Sequence, residues 1–137
     1  MAKIKYKNRR KYLEEVEPNY QSIRDLKVSK KRRRKFKKQR DIYGFDERET
    51  RNLNYLMLEL IYERLRMYKD LASKIINLDF HKIEYKGKTY TQNEVLNRLI
   101  VLSKQALKDD KDIWIEQYKE EKEFWELWSK VFLYFWW

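Results

Sequence analysis

The sequence predicts a mostly all-α protein: a three-helix bundle with a small β-hairpin insert and a basic N-terminal arm. Three observations carry that expectation. Apolar residues recur at three- and four-residue steps through the second half of the chain. One short stretch, IEYKGKTYT, changes to strand-forming residues around a glycine. The charge is divided unevenly: residues 1–43 hold 17 Lys/Arg against 5 Asp/Glu, a net +12, while residues 44–137 carry −1. That division places the boundary between arm and helical domain at residues 43 and 44.

Within the arm, Pro18 limits any helix that precedes it. Residues 29–40 read SKKRRRKFKKQR. Such a run repels itself when free, yet Lys, Arg and Gln are good helix formers, so it is expected to be extended or partly helical. Gly44 ends the arm, and Asp46 fits an N-cap because its carboxylate can accept from free first-turn N–H groups. The spacing of Leu53, Leu56, Met57, Leu60, Ile61, Leu65, Tyr68, Leu71, Ala72 and Ile75 predicts an amphipathic helix over about residues 47–77.

A hairpin follows, turning at Lys86-Gly87. Thr91 and Glu94 form a capping-box pattern that opens a second helix, about 92–108. Asp109, Asp110 and Asp112 either cap a third helix or bend a continuous one. The last helix carries Phe124, Trp125, Leu127, Trp128, Val131, Phe132 and Phe135, and Trp125, Trp128, Phe132 and Phe135 have the spacing of a core stripe. All five tryptophans lie at or after Trp114, which concentrates the aromatic core there.

Composition excludes several kinds of chemistry. With no Cys there is no disulfide scaffold, thiolate zinc site or thiol nucleophile. Two glycines, Gly44 and Gly87, do not make a phosphate-cradling loop. A lone His81 forms no metal cluster and reads as structural or solvated. No carboxylate pair stands out as catalytic. No catalytic residue, metal or cofactor is expected, and an enzyme is the least supported class. The C-terminal apolar stretch, 124–137, is shorter than the ~20 residues of a spanning helix, so no membrane segment is expected.

The net charge of +11 points to a polyanionic partner. Lys30, Lys31, Arg32, Arg33, Arg34, Lys35, Lys37, Lys38 and Arg40 place nine cations within 11 residues. Such cations neutralise phosphates and release counterions. Phe36 within the run, with Tyr6, Tyr12, Tyr20 and Tyr43 around it, is a candidate for stacking on unpaired bases. An acidic protein surface, or no specific partner, also fits this charge. Trp136 and Trp137 lie too late in the chain to share one face with the other tryptophans, which marks them as a candidate protein interface.

At YGFDERETRNLNYLMLELIYERLRMYKD and at ELWSKVFLYFWW the chain resembles a group of small uncharacterised phage and prophage proteins. Gly44, Phe45, Asp46, Glu49, Thr50, Asn52 and Leu53 match that group's helix-opening GFDxxETWNLD-like motif. Leu127, Lys130, Phe132, Phe135, Trp136 and Trp137 fit its LFxKYFFxLWW-like ending. Arg51 stands where the motif has Trp, and Asn54 where it has Asp. The resemblance covers residues 43–77 and 92–137, not the arm. It implies an all-helical fold and a phage-like origin, but no reaction. The expected function is binding of nucleic acid, RNA or DNA, or of a ribonucleoprotein, in the bacterial cytoplasm or a virion. The alternatives are an inhibitor docking on a protein complex, such as an anti-defence protein against an RNA-guided nuclease, and a virion protein on packaged genome.

Overall fold

The structure, a computed structural model, describes residues 10–108 and 114–136, with side chains from 119 in the second stretch. The described residues form four α-helices and one two-stranded antiparallel hairpin. The mostly helical expectation therefore holds. The three aspartates 109, 110 and 112 and Trp137 lie outside the described residues, as does Tyr6.

Helix α1 spans Lys30–Tyr43. The Ser29 side chain accepts from the Arg32 N–H at its start. At its end Gly44 takes a left-handed φ of 83° and donates to the Arg40 carbonyl, a closure that a side chain would strain. A single 3-10 turn, Glu47–Thr50, follows, and its capping box joins Asp46 to Glu49. Helix α2 then runs Leu53–Ala72. The helix expected over 47–77 is thus shorter and preceded by a separate turn.

Strands β1 (Lys82–Tyr85) and β2 (Lys88–Thr91) pair with Ile83 opposite Tyr90. Lys86 and Gly87 both have positive φ, 49° and 76°, the signature of a two-residue primed turn that matches strand twist. The Thr91–Glu94 capping box opens helix α3, Gln92–Leu107, as its spacing predicts. Helix α4 covers Trp114–Val131 and ends in a 3-10 turn, Phe132–Tyr134.

Helix α3 lies between α2 and α4 and packs on both. It therefore buries a wide face: Val95, Leu96, Leu99, Leu102, Ala106 and Leu107. From α4 come Phe124, Leu127 and Val131. Trp125 and Trp128 are only partly buried at the edge of this core, and Phe132 is 45% exposed. The expected stripe of Trp125, Trp128, Phe132 and Phe135 is thus rotated by about one residue. The deepest positions face α3, and the indoles lie along the side.

The boundary at residue 43 is corrected by the structure. Leu13 (1% exposed) and Val16 (4%) belong to the same core as α2, α3 and α4. Polar contacts fasten this N-terminal segment to α2. Arg66 donates twice to the Glu15 carboxylate, at 2.6 and 2.9 Å, and Tyr62 donates to it at 3.0 Å. Ser22 donates to the buried Glu59 at 2.8 Å, and Arg24 pairs with both Glu59 and Glu63. This second partner explains why α2 buries Leu58, Glu59 and Tyr62, while Leu53 and Met57 stay exposed. The helix packs on α3 along one side and on the N-terminal segment along another.

A chain of residues 44–137 alone should therefore lose cooperative thermal unfolding by circular dichroism, whereas the full chain keeps it. In the full chain Leu13→Ala should cost about 2–5 kcal/mol in denaturant unfolding, as for other buried leucines. A cooperative melt of the truncated chain at the full-length temperature would contradict this packing.

Candidate nucleic-acid interface

Helix α1 stands on the body through one buried residue, Phe36, 3% exposed. Taking 100° per residue, Lys30, Lys31, Arg34, Lys35, Lys37 and Lys38 fall on the half of the helix opposite Phe36, and Arg32 falls on the Phe36 side. Arg33 and Arg40 fall on the Phe36 side and face a cleft against the body. Three of the nine cations are in ion pairs. Lys35 meets Glu47 at 2.7 Å, Lys37 meets Asp41 at 2.8 Å and Arg40 meets Asp46 at 2.8 Å. Lys30, Lys31, Arg32, Arg33, Arg34 and Lys38 have no acidic partner among the described residues.

Beneath the helix lies the group that anchors it. Arg48, 6% exposed, lies over the Phe36 ring with its guanidinium carbon 4.6 Å from the centroid. Its Nε and Nη2 donate to Asp46 Oδ1 and Oδ2 at 3.0 and 2.8 Å. Its Nη1 reaches the Leu26 carbonyl at 2.9 Å and its Nη2 the Arg24 carbonyl at 3.2 Å. One buried side chain thereby ties α1, the turn before α2 and the N-terminal segment together. Gln39 adds a second tie: its Oε1 accepts from the Glu47 N–H at 2.9 Å and its Nε2 donates to Glu47 Oε1 at 3.2 Å.

Burial of Asp46 opposes its ionisation, but hydrogen bonds from Arg48 and Arg40 outweigh this and hold its pKa below the ordinary aspartate value. The Lys35 and Gln39 hydrogen bonds likewise lower the Glu47 pKa. These carboxylates therefore remain charged and bind α1 to the body across the neutral range.

The charge along α1 is unbalanced at its positive end. Its first turn holds no acidic residue and Lys30 to Arg34 are five consecutive cations. The free N–H groups there already carry partial positive charge, so these side chains act against the helix dipole. A bound anion relieves both. Over 14 residues α1 is about 21 Å long, which matches roughly six phosphate steps along one strand.

Phe36 is corrected as a base-stacking residue. Its ring is enclosed and Arg48 covers it, so no base reaches it while α1 is seated. Tyr12 packs beneath Arg66, at 5.6 Å, and Tyr20 is partly buried against the core. The exposed ring on α1 is Tyr43, 66% exposed and 6.2 Å from Phe45. Arg48 and Gln39 were not readable as anchors, because an arginine two residues after a capping aspartate has no distinctive spacing.

The other sequence candidates separate clearly. Trp136 is 63% exposed, and its carbonyl accepts from Tyr68 Oη at 3.1 Å, which ties the chain end to α2. His81 stacks on Tyr134 at 4.9 Å. Among the described residues no group of three or more metal-ligating side chains occurs, and no helix is long and apolar enough to cross a membrane. Comparison with known proteins finds no matching family model, no matching curated protein and no matching solved structure.

Because the Asp46 pKa is depressed on folding, its contribution to stability is complete above the unfolded value, near 4, and is lost as pH falls through the folded value. At neutral pH Asp46→Asn should cost about 3–5 kcal/mol, since it leaves a buried guanidinium without its counter-charge. Urea unfolding from pH 7 to pH 3 should show the gap to the wild type narrowing with acid. A gap independent of pH would show that the Asp46 charge does not hold α1.

Proposed function

We propose that this is a non-enzymatic, phage-derived basic protein that binds nucleic acid, or a ribonucleoprotein, along α1. The observation that carries this reading is the set of six cations without an acidic partner among the described residues, on a helix anchored from beneath by Phe36 and Arg48. Phosphates would meet the outer face at Lys30, Lys31, Arg34 and Lys38. Lys35, Lys37 and Arg40 serve first as intramolecular partners. The α2–α3–α4 body acts in this reading as a three-helix mount rather than as a catalytic centre. The phage-like motifs at residues 43–53 and 127–137 support the origin, and the cytoplasm of a bacterial host or a virion would be its place of action.

A second reading is favoured by one observation. Phe80, Leu133 and Trp136 are 74%, 76% and 63% exposed, and the His81–Tyr134 stack brings the two segments together. An apolar surface of this kind suits docking on a protein complex, as an anti-defence inhibitor of an RNA-guided nuclease or a virion component would require.

Salt dependence tests the first reading. Four phosphate contacts, one at each of the outer cations Lys30, Lys31, Arg34 and Lys38, should give a slope of log K against log salt of roughly −3 to −4. Exchanging Lys31, Arg34 and Lys38 for Gln should reduce the magnitude of that slope by about 2–3. Because all three are exposed, and two of them act against the helix dipole, the melting temperature should not fall. Absence of binding to RNA and DNA at low salt, or binding indifferent to salt, would remove the nucleic-acid reading and leave protein docking.

A further inference from the structure

Between α1 and the segment before it lies a cleft of about 710 Å³, within the range of small-ligand sites. Its lining combines three kinds of surface. Part of the lining is cationic: Lys27 and Arg33 have no acidic partner among the described residues, and Arg40 uses Nη1 on Asp46. Asp25, the carboxylate in the lining, is neutralised by Arg10 at 2.8 Å. The lining also holds apolar surface from Leu26, 42% exposed, and Val28. Lys27 and Val28 lie in a segment without regular structure after the turn at residues 23–25. Among the described residues the N–H groups of this pair have no backbone hydrogen-bond partner.

A purely phosphate-binding groove needs only the first of these surfaces. Apolar surface beside guanidinium groups suits the face of a nucleobase, since both aliphatic side chains and arginine planes stack on bases. A free backbone edge suits the base's own hydrogen-bonding edge. We propose that this cleft binds a nucleotide with an unpaired base, its phosphate at Arg33 and Lys27 and its base against Leu26 and Val28. The nucleotide comes either from an unpaired end of the strand lying on α1 or from free nucleoside triphosphate. The first source rests on the reading of α1 as a nucleic-acid surface. Paired bases within a duplex present no free face, so the cleft distinguishes overhangs from blunt ends.

The test is fluorescence anisotropy with matched duplexes, blunt or carrying a two-nucleotide overhang, in RNA and DNA. The overhang should tighten binding by roughly 5- to 150-fold, the range for a stacked base. Leu26→Ala should abolish that gain and leave blunt-duplex binding unchanged. Leu26 is partly exposed and holds Arg48 through its backbone, so the fold is retained. Tyr43→Ala should keep the gain, which separates the cleft from stacking on the exposed tyrosine. For the free source, a labelled nucleoside triphosphate should bind and resist competition by tripolyphosphate. Equal binding of blunt and overhang duplexes, with tripolyphosphate displacing the nucleotide as well as unlabelled nucleotide does, would overturn the cleft proposal. A gain that survives Leu26→Ala would overturn it too. In those cases salt-dependent binding of blunt duplex would still uphold α1 as the phosphate surface, whereas loss of all binding would end both readings.

Discussion

The buried Arg48–Asp46 pair, with Phe36 beneath the guanidinium, is the constraint on which the placement of α1 depends. Removing two charges from water is costly, and their attraction repays the cost only when the remaining donors are satisfied. Here the guanidinium also reaches two carbonyls of the N-terminal segment, and the carboxylate also accepts from Arg40. The pair therefore fixes position: it joins three parts of the chain that are separate in sequence. A hydrophobic contact alone would hold α1 near the body without setting its rotation.

That fixed rotation matters for charge. A free basic segment must lose conformational freedom when it binds, and this loss subtracts from its affinity. Seated on Phe36, α1 offers its outer cations already arranged. The arrangement opposes local stability, because five cations crowd the positive end of the helix. Ion pairs from Lys35 and Arg40 to the turn before α2 offset part of that repulsion. The better-held part of the helix is thus its C-terminal half, and in the proposed reading the unbalanced half is the part that meets an anion.

Features set by neighbours in sequence were legible in the sequence. The Asp46 and Thr91 caps, the Lys86-Gly87 turn and the glycine stop at residue 44 depend on a few adjacent residues, and the structure contains each. The position of the N-terminal segment depends on contacts dozens of residues apart. Leu13 and Val16 are two apolar residues among charges, too few to show a period, so composition assigned them to an arm. Phe36 shows a related ambiguity: one ring in a cationic run looks the same whether it meets a base or a protein core. The helical spacing of α2 gave its existence but not its full buried face, because a second partner came from a segment that looked solvated. The cations of the candidate site were readable as a run, whereas their division into paired and unpaired members required the fold.

The central claim is that α1 is folded and seated before any partner arrives. Amide hydrogen exchange of the free full-length protein tests it most directly, since exchange reports the opening of each helical turn. The account predicts protection through residues 36–43, rising and falling with that of α2, and weaker protection at the unbalanced first turn. Exchange across the whole of 30–43 at the rate of an unstructured peptide, with protection gained only on adding nucleic acid, would contradict it.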